Sequence, residues 1–267
     1  MSDPLAQIAG RILASAKYRW LCPASVARVA DWASERWSRP AQAEQGARRK
    51  LHQVYGAYLG QWDAAKAPTL VGQLLQAEED TQRQALCRAV LALHSSTRER
   101  LTILDEFYRH VLADVRSGVR VLDIGCGFNA FCLPWIRRIS DVRYVGWEID
   151  RRVVDLINCA SPALGGGVQA HLRDALLDPP RERFDMIWLL KMLPCLARQD
   201  AGGIRALLEG LPTTRLVVSF PLRSLGGRSK GMRRNYSRMM DDLLGGRSRL
   251  CRRTELPGEL LYVIGSP

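Results

Sequence analysis

Apolar residues follow two rhythms along this chain. In residues 1–116 they recur at helical spacing, as in Leu5, Ile8, Ile12 and Leu13, and again in Leu86, Val90, Leu91 and Leu93. Pro23, Pro40 and Pro68 stand where one helix can end and the next begin, because proline is tolerated in a first helical turn. From residue 118 the pattern changes. Short apolar runs predict strands at 119–124, 142–147, 168–172, 184–190, 214–220, 249–254 and 259–264. Between them, helices are predicted at 129–138, 150–160, 201–209 and 230–244. Alternating strands and helices imply an α/β fold with a mostly parallel sheet covered on both faces. The last two strands are close in sequence, which predicts an antiparallel hairpin at one edge. The chain thus divides into an all-helical unit, 1–116, and a sheet domain, 117–267. It carries no internal repeat and no low-complexity segment.

The first predicted strand ends in the run Val121-Leu122-Asp123-Ile124-Gly125-Cys126-Gly127-Phe128-Asn129. Gly125 and Gly127 permit a tight turn and a close approach of backbone to ligand. With Ala130 in place of a third glycine, the run also fits a dinucleotide fingerprint. Asp123 argues against that reading, because its carboxylate would face a pyrophosphate held at the next helix N-terminus. It suits a ligand bearing an ammonium and a sulfonium, which is S-adenosylmethionine. The next strand ends in Glu148, 21 residues beyond Gly127, where an acid accepts from ribose hydroxyls. The third apolar run ends near Asp174, whose carboxylate can accept from an adenine amino group. Any one of these acids also reads as a loop residue or helix cap. Three strand ends in series favour the cofactor.

Composition narrows the picture. The 267 residues carry 39 Lys and Arg against 27 Asp and Glu, a formal net charge of +12. Within residues 118–267 the excess is confined to 223–253, which hold ten basic and two acidic residues; elsewhere in that half the signs balance. A localised basic segment beside a cofactor site points to a polyanion, most simply nucleic acid; the bland alternative is a solubilising surface. The seven cysteines are scattered, with no CxxC pair, so neither a zinc site nor a disulfide framework is indicated. A reducing cytoplasm follows. The four dispersed histidines make a metal site unexpected. No run reaches the roughly 18 apolar residues of a membrane span, and no signal-peptide core is present.

Before the change of rhythm stands His94-Ser95-Ser96-Thr97-Arg98-Glu99-Arg100-Leu101. Ser96 and Glu99 have the spacing of a capping box for a helix running to about Val115. Arg100 is placed to grip the carboxylate of a methionine moiety. The segment resembles the HxSTxERL motif of the aminoglycoside-resistance 16S ribosomal RNA methyltransferases that modify guanine N7. Leu189-Leu190-Lys191-Met192-Leu193-Pro194-Cys195-Leu196 resembles that family's stretch after the fourth strand. Residues 219–232, Ser219-Phe220-Pro221-Leu222-Arg223 through Gly231-Met232, resemble its long loop after the fifth. With the glycine turn, four segments match in order across residues 94–236. Residues 1–90 match only in length, helicity and basic character.

The resemblance implies a class I (Rossmann-like) S-adenosylmethionine-dependent methyltransferase core with an N-terminal all-helical domain that docks on RNA. It places the cofactor against Arg100, Gly125, Glu148, Asp174, Ala175, Leu190 and Gln199; the residue reading adds Asp123 and Gly127. Two departures stand out: Glu148 where Asp is more usual, and Ala197-Arg198 in place of a more acidic pair. The substrate implied is 16S rRNA in the 30S subunit, met by a monomeric protein through Lys17, Lys50, Lys66, Lys191, Arg223, Arg228, Lys230, Arg233 and Arg234. Guanine N7 carries a free lone pair, so alignment without a general base suffices. No NPPY or DPPY motif follows the fourth strand, and Asp178-Pro179-Pro180 precedes it. Two alternatives remain: a cytosine-C5 enzyme using Cys195 as nucleophile, and a non-catalytic ribosome-binding factor.

The basic segment generates a test. Arg228→Glu or Lys230→Glu is expected to weaken 30S binding and flatten its salt dependence, with S-adenosylmethionine affinity unchanged. A salt dependence equal to the parent's would move the RNA site off this segment.

Overall fold

The computed structural model describes residues 4–55, 62–200, 202–222, 231–244 and 251–265. Among the described residues, seven helices precede the sheet: α1 (Pro4–Leu13), α2 (Pro23–Ser34), α3 (Pro40–Tyr55), α4 (Lys66–Gln76), α5 (Asp80–Leu91), α6 (Ser95–Arg98) and α7 (Leu104–Val111). Pro23 and Pro40 each open a helix, and Pro68 falls in the first turn of α4, where no intrahelical N–H is needed. The strands are β1 (Val119–Ile124), β2 (Val142–Glu148), β3 (Gln169–Leu172), β4 (Phe184–Leu190), β5 (Thr213–Pro221), β6 (Cys251–Leu256) and β7 (Glu259–Gly265). Around them lie α8 (Leu133–Ile136), α9 (Arg151–Ala160), α10 (Leu193–Gln199), α11 (Gly203–Gly210) and α12 (Met232–Leu244).

The sheet order is β3-β2-β1-β4-β5-β7-β6. The first five strands pair in parallel. β7 runs antiparallel to β5, and β6 to β7, so the hairpin forms the edge that the sequence predicts. Its tight turn uses Gly258 at φ +82. β1 is buried from Val121 to Ile124 and β4 almost throughout, as a parallel sheet covered on both faces requires.

Packing cuts across the change of rhythm at residue 117. Helices α1–α3 close a hydrophobic cluster of their own around Ile12, Val26, Ala30, Ala47 and Leu51. Residues of α4, α5 and α7, such as Leu74, Leu91 and Phe107, share one core with Val121, Phe131 and Trp188 of the sheet domain. The opposite face of the sheet closes over Leu122, Ile187, Leu193, Phe220 and Leu260.

Several sequence expectations need correction. The helix predicted at 129–138 is a 3₁₀ turn, Asn129–Cys132, followed by the four residues of α8. The capping box does not form. The helix at this point starts after His94, has no side-chain cap, and stops at Arg98. Arg100, Leu101 and Ile103 then donate to carbonyls three residues back, a tighter winding that leads to a separate α7. Glu99 turns to an ion pair with Lys191 instead. α10 was not predicted; seven residues are too few to reveal a helical period. The strand predicted at 249–254 runs 251–256, and residues 249 and 250 lie outside the described set.

Phe107 is fully buried, packs edge-to-face on Tyr108 and lies 4.1 Å beneath the Arg100 guanidinium. Phe107→Ala is expected to cost about 3–5 kcal/mol in denaturant unfolding, with the m-value unchanged. A loss below about 1 kcal/mol would place α7 outside the cooperative core.

Candidate cofactor site

The glycine turn is built as its residues require. Gly125 has φ +69 and Gly127 φ +49, a left-handed backbone that favours glycine. A Cβ at Gly125 would collide with the Met192 thioether. The amides of Gly125 and Cys126 both donate to the Trp147 carbonyl, at 2.8 and 3.2 Å, so the turn is tied to the end of β2. Glu148 completes the tie: its Oε2 accepts from Gly127 N at 2.9 Å and its Oε1 from Ile149 N at 2.8 Å. Burial nevertheless holds the Glu148 carboxyl above its ordinary range, against those amide bonds.

The turn opens on a narrow cavity of about 90 Å³. Arg100, Gly125, Gly127, Glu148, Leu190 and Lys191 all line it. So do His94, Asn129, Met192 and Cys195, and, from the helical layer, Val54, Tyr55 and Trp62. Asp123, Asp174, Ala175 and Gln199 are not part of this wall. Asp174 Oδ1 accepts from Leu176 N at 3.0 Å, and its Oδ2 from Arg28 Nη2 at 3.2 Å. Gln199 Oε1 accepts from Arg28 and from the Tyr55 hydroxyl, so Gln199 meets the cavity wall at Tyr55, and Asp174 is linked to Gln199 by Arg28. Ala175 is buried in the opposite cluster.

Behind the turn lies a buried polar relay. Asp123 Oδ2 accepts from Asn129 Nδ2 at 2.6 Å and from the Tyr144 hydroxyl at 2.7 Å. Asn129 Oδ1 accepts from the Tyr108 hydroxyl at 2.6 Å and from Arg100 Nη1 at 3.0 Å. Arg100 is 1% exposed and forms a bidentate pair with Glu259, through Nε at 3.0 Å and Nη2 at 2.5 Å. Asp123 Oδ1 is buried with no hydrogen-bond partner among the described residues. Burial pushes the Asp123 carboxyl up to about 6, against the Tyr144 and Asn129 bonds. A bare carboxylate oxygen in a dry site is the complement of an ammonium group.

Lys191 is among the residues expected on RNA. It is 7% exposed, in a left-handed conformation at φ +59. Its ammonium lies 2.7 Å from Glu99 Oε2, 3.0 Å from the Ser96 carbonyl and 3.6 Å from Glu259 Oε2. Burial, then the Lys191 and Arg98 cations, push the His94 imidazole down to about 4, so it is neutral at pH 7. Cys195 Sγ lies 4.0 Å from the Lys191 carbonyl, one turn into α10.

The other basic candidates are spread. Lys17 and Lys66 are exposed, and Lys17 Nζ meets His52 Nδ1 at 3.1 Å. Lys50 is half-buried over the Trp32 ring and donates to the Arg198 carbonyl at 2.7 Å. Arg233 and Arg234 are exposed in the first turn of α12, and Arg233 pairs with Glu255 at 2.8 Å. Arg223, Arg228 and Lys230 lie outside the described residues. No group of side chains suited to a metal ion, and no helix long and apolar enough to cross a membrane, occurs among the described residues.

The sequence reading missed Glu259, Asn129, Arg28 and Tyr55. A single acid opening the apolar run of β7 was a visible sign for Glu259. For Arg28 there was none.

The family model for ribosomal RNA methyltransferase (FmrO) matches residues 14–263. This chain belongs to that family. The 16S rRNA (guanine(1405)-N(7))-methyltransferase of Micromonospora rosea is 35% identical to this FmrO-family chain over 267 residues, covering 98% of it and 97% of the relative. The enzyme of the same name from Serratia marcescens is 37% identical over 258 residues, covering 95% of each chain. The crystal structure of 16S rRNA methyltransferase RmtF in complex with S-adenosyl-L-homocysteine matches the FmrO-family fold with a TM-score of 0.85, at 33% identity over all of both chains.

Asp123 generates a pH prediction. Its folded pKa, about 6, is raised from an ordinary 3.8. Its contribution to stability is therefore present below pH 3.8 and lost as pH rises through 6. A cationic ligand group facing Asp123 favours the ionised form. S-adenosylmethionine affinity, measured by calorimetry, is then expected to fall as pH drops below 6. Asp123→Asn is expected to weaken binding at pH 7.5 and to flatten that profile; a wild-type profile in this variant would exclude Asp123 as the cation partner.

Proposed function

We propose that this chain transfers the methyl group of S-adenosylmethionine to N7 of a guanine in the decoding centre of 16S rRNA, acting as a monomer on the assembled 30S subunit in the cytoplasm. The observation that carries the reading is the clasp of Glu148 on the Gly127 amide beside the unpaired Asp123 Oδ1. These groups stand at the ends of adjacent parallel strands, where open α/β sheets bind ligands.

The site residues fit this cofactor. Arg100 is a cation in the cavity wall with guanidinium protons beyond those given to Glu259 and Asn129. It would hold the methionine carboxylate, and Asp123 the ammonium. Glu148 accepts from the Gly127, Ile149 and Asp150 amides and keeps acceptor capacity beyond these three, which would serve a ribose hydroxyl. Asp174 and Gln199 would hold the adenine end. Bound S-adenosylmethionine supplies a methyl group activated by a sulfonium. The chain's own task is then alignment and the exclusion of water. His94, Met192 and Cys195 form the wall beside Lys191, and the neutral imidazole adds no charge to repel a nucleophile. Guanine N7 needs no proton removed, so this wall requires no base.

Alkylated N7 carries a fixed positive charge and a methyl group. Both oppose gentamicin- and kanamycin-type drugs, which are polycations. Cells producing the chain are expected to resist those drugs, and labelled methyl transferred to 30S subunits should map to one guanine. Cys195→Ala is expected to retain full transfer. Methyl label on a cytosine, with transfer lost in Cys195→Ala, would replace this reading with the cytosine mechanism. Drug sensitivity equal to an empty vector, with intact protein present, would overturn the assignment.

A further inference from the structure

Helices α1–α3 form their own core, yet they grip three loops that carry the cofactor-site acids and their neighbours. Just before α2, Cys22 N donates to the Ile149 carbonyl at 2.7 Å, and Arg151 N donates to the Trp20 carbonyl at 2.9 Å. This short antiparallel bridge, Leu21 with Asp150, fastens the chain directly after Glu148. From within α2, Arg28 Nη2 reaches Asp174 after β3 and Gln199 at the end of α10. From α3, the Tyr55 hydroxyl donates to Gln199 Oε1 at 2.7 Å and Lys50 donates to the Arg198 carbonyl at 2.7 Å. Tyr55 also lines the cavity itself.

Arg28 is the hinge of this arrangement. One nitrogen serves Asp174, Gln199 and, at 3.5 Å, the Tyr55 hydroxyl. Asp174 is buried, with one oxygen fixed by Leu176 N and the other by Arg28. A buried carboxylate without its cation would lose both its charge partner and its fixed orientation. We propose that Arg28 is a positioning residue for Asp174 and Gln199, and that through it the α1–α3 unit and the cofactor bind with reciprocal coupling. This rests on the reading above, in which Asp174 holds adenine, and on the family resemblance, which implies that the N-terminal helical domain docks on RNA. Ordering the adenine end fixes α2, and fixing α1–α3 on RNA orders Asp174. Linkage makes the two effects equal in size.

The test measures S-adenosylhomocysteine affinity by calorimetry in the full chain, and 30S affinity with and without saturating S-adenosylhomocysteine. Arg28→Met is expected to weaken cofactor binding about tenfold, the scale of one charge-assisted bond. Arg28→Lys should recover part of that loss. Arg28→Met should cost clearly less in an Asp174→Asn background than in the parent, because the Asp174 ion pair is already gone and only the Gln199 and Tyr55 bonds remain to be lost. The cofactor-dependent gain in 30S affinity should vanish in Arg28→Met. Glu148→Ala serves as the control for the site. Wild-type cofactor affinity in Arg28→Met, with Glu148→Ala weakened, overturns the inference and leaves the site standing. Wild-type affinity in both overturns the site reading, and the inference with it. Additive losses in the double variant overturn the positioning role. Should Arg28→Met fail to fold, the cycle of Arg28→Lys with Asp174→Asn gives the same comparison.

Discussion

A guanidinium taken fully out of water must be paired, and the pairing of Arg100 with Glu259 organises this molecule. Burial works against the charge on Arg100, and the Glu259 carboxylate outweighs it, holding the guanidinium pKa above its ordinary value. Burial works against Glu259 in the same way, and Arg100 and Lys191 together hold its carboxyl below the usual range. Neither partner is tolerable alone in this interior. The pair therefore ties the segment after α6 to the first residue of β7. Through Asn129 it also fixes the glycine turn, and through Lys191 the end of β4. Four distant stretches of chain meet because two charges have nowhere else to go.

That dependence explains what was legible in the sequence. Strands β1 and β4 were read to the residue, because each is mostly apolar, broken only by Arg120, Asp123 and Asp185, and is bounded by polar or glycine residues. Asp123, Glu148 and Gly127 were read as site residues because each stands at or beside a strand end, a position fixed by local pattern. Glu259 and Arg28 were not assigned, since their partners lie 159 and 146 residues away. No local rhythm encodes such a pairing. The helix expected to run to Val115 failed for a related reason. Its periodicity was sound, but sending Arg100 inward required a tighter winding between Arg98 and Leu104.

The same trade explains Lys191. A lysine after a strand reads as a surface residue, and its left-handed backbone is a strained choice for a side chain with a Cβ. Here the strain turns the ammonium toward Glu99, Glu259 and the Ser96 carbonyl. α10 begins two residues later, at Leu193.

Glu148 and Asp123 divide the work of the turn by side-chain length. Glutamate's extra methylene lets Glu148 reach forward to the Gly127 amide and also back to the Ile149 amide. One carboxylate thereby closes the loop that its own strand presents. Asp123 is shorter and lies deeper. Both of its hydrogen bonds fall on Oδ2, so Oδ1 stays bare. An unpaired buried oxygen costs stability in the free protein, and no fold-based reason compels it. The turn is thus complete as a loop, while one buried carboxylate oxygen behind it has no partner among the described residues.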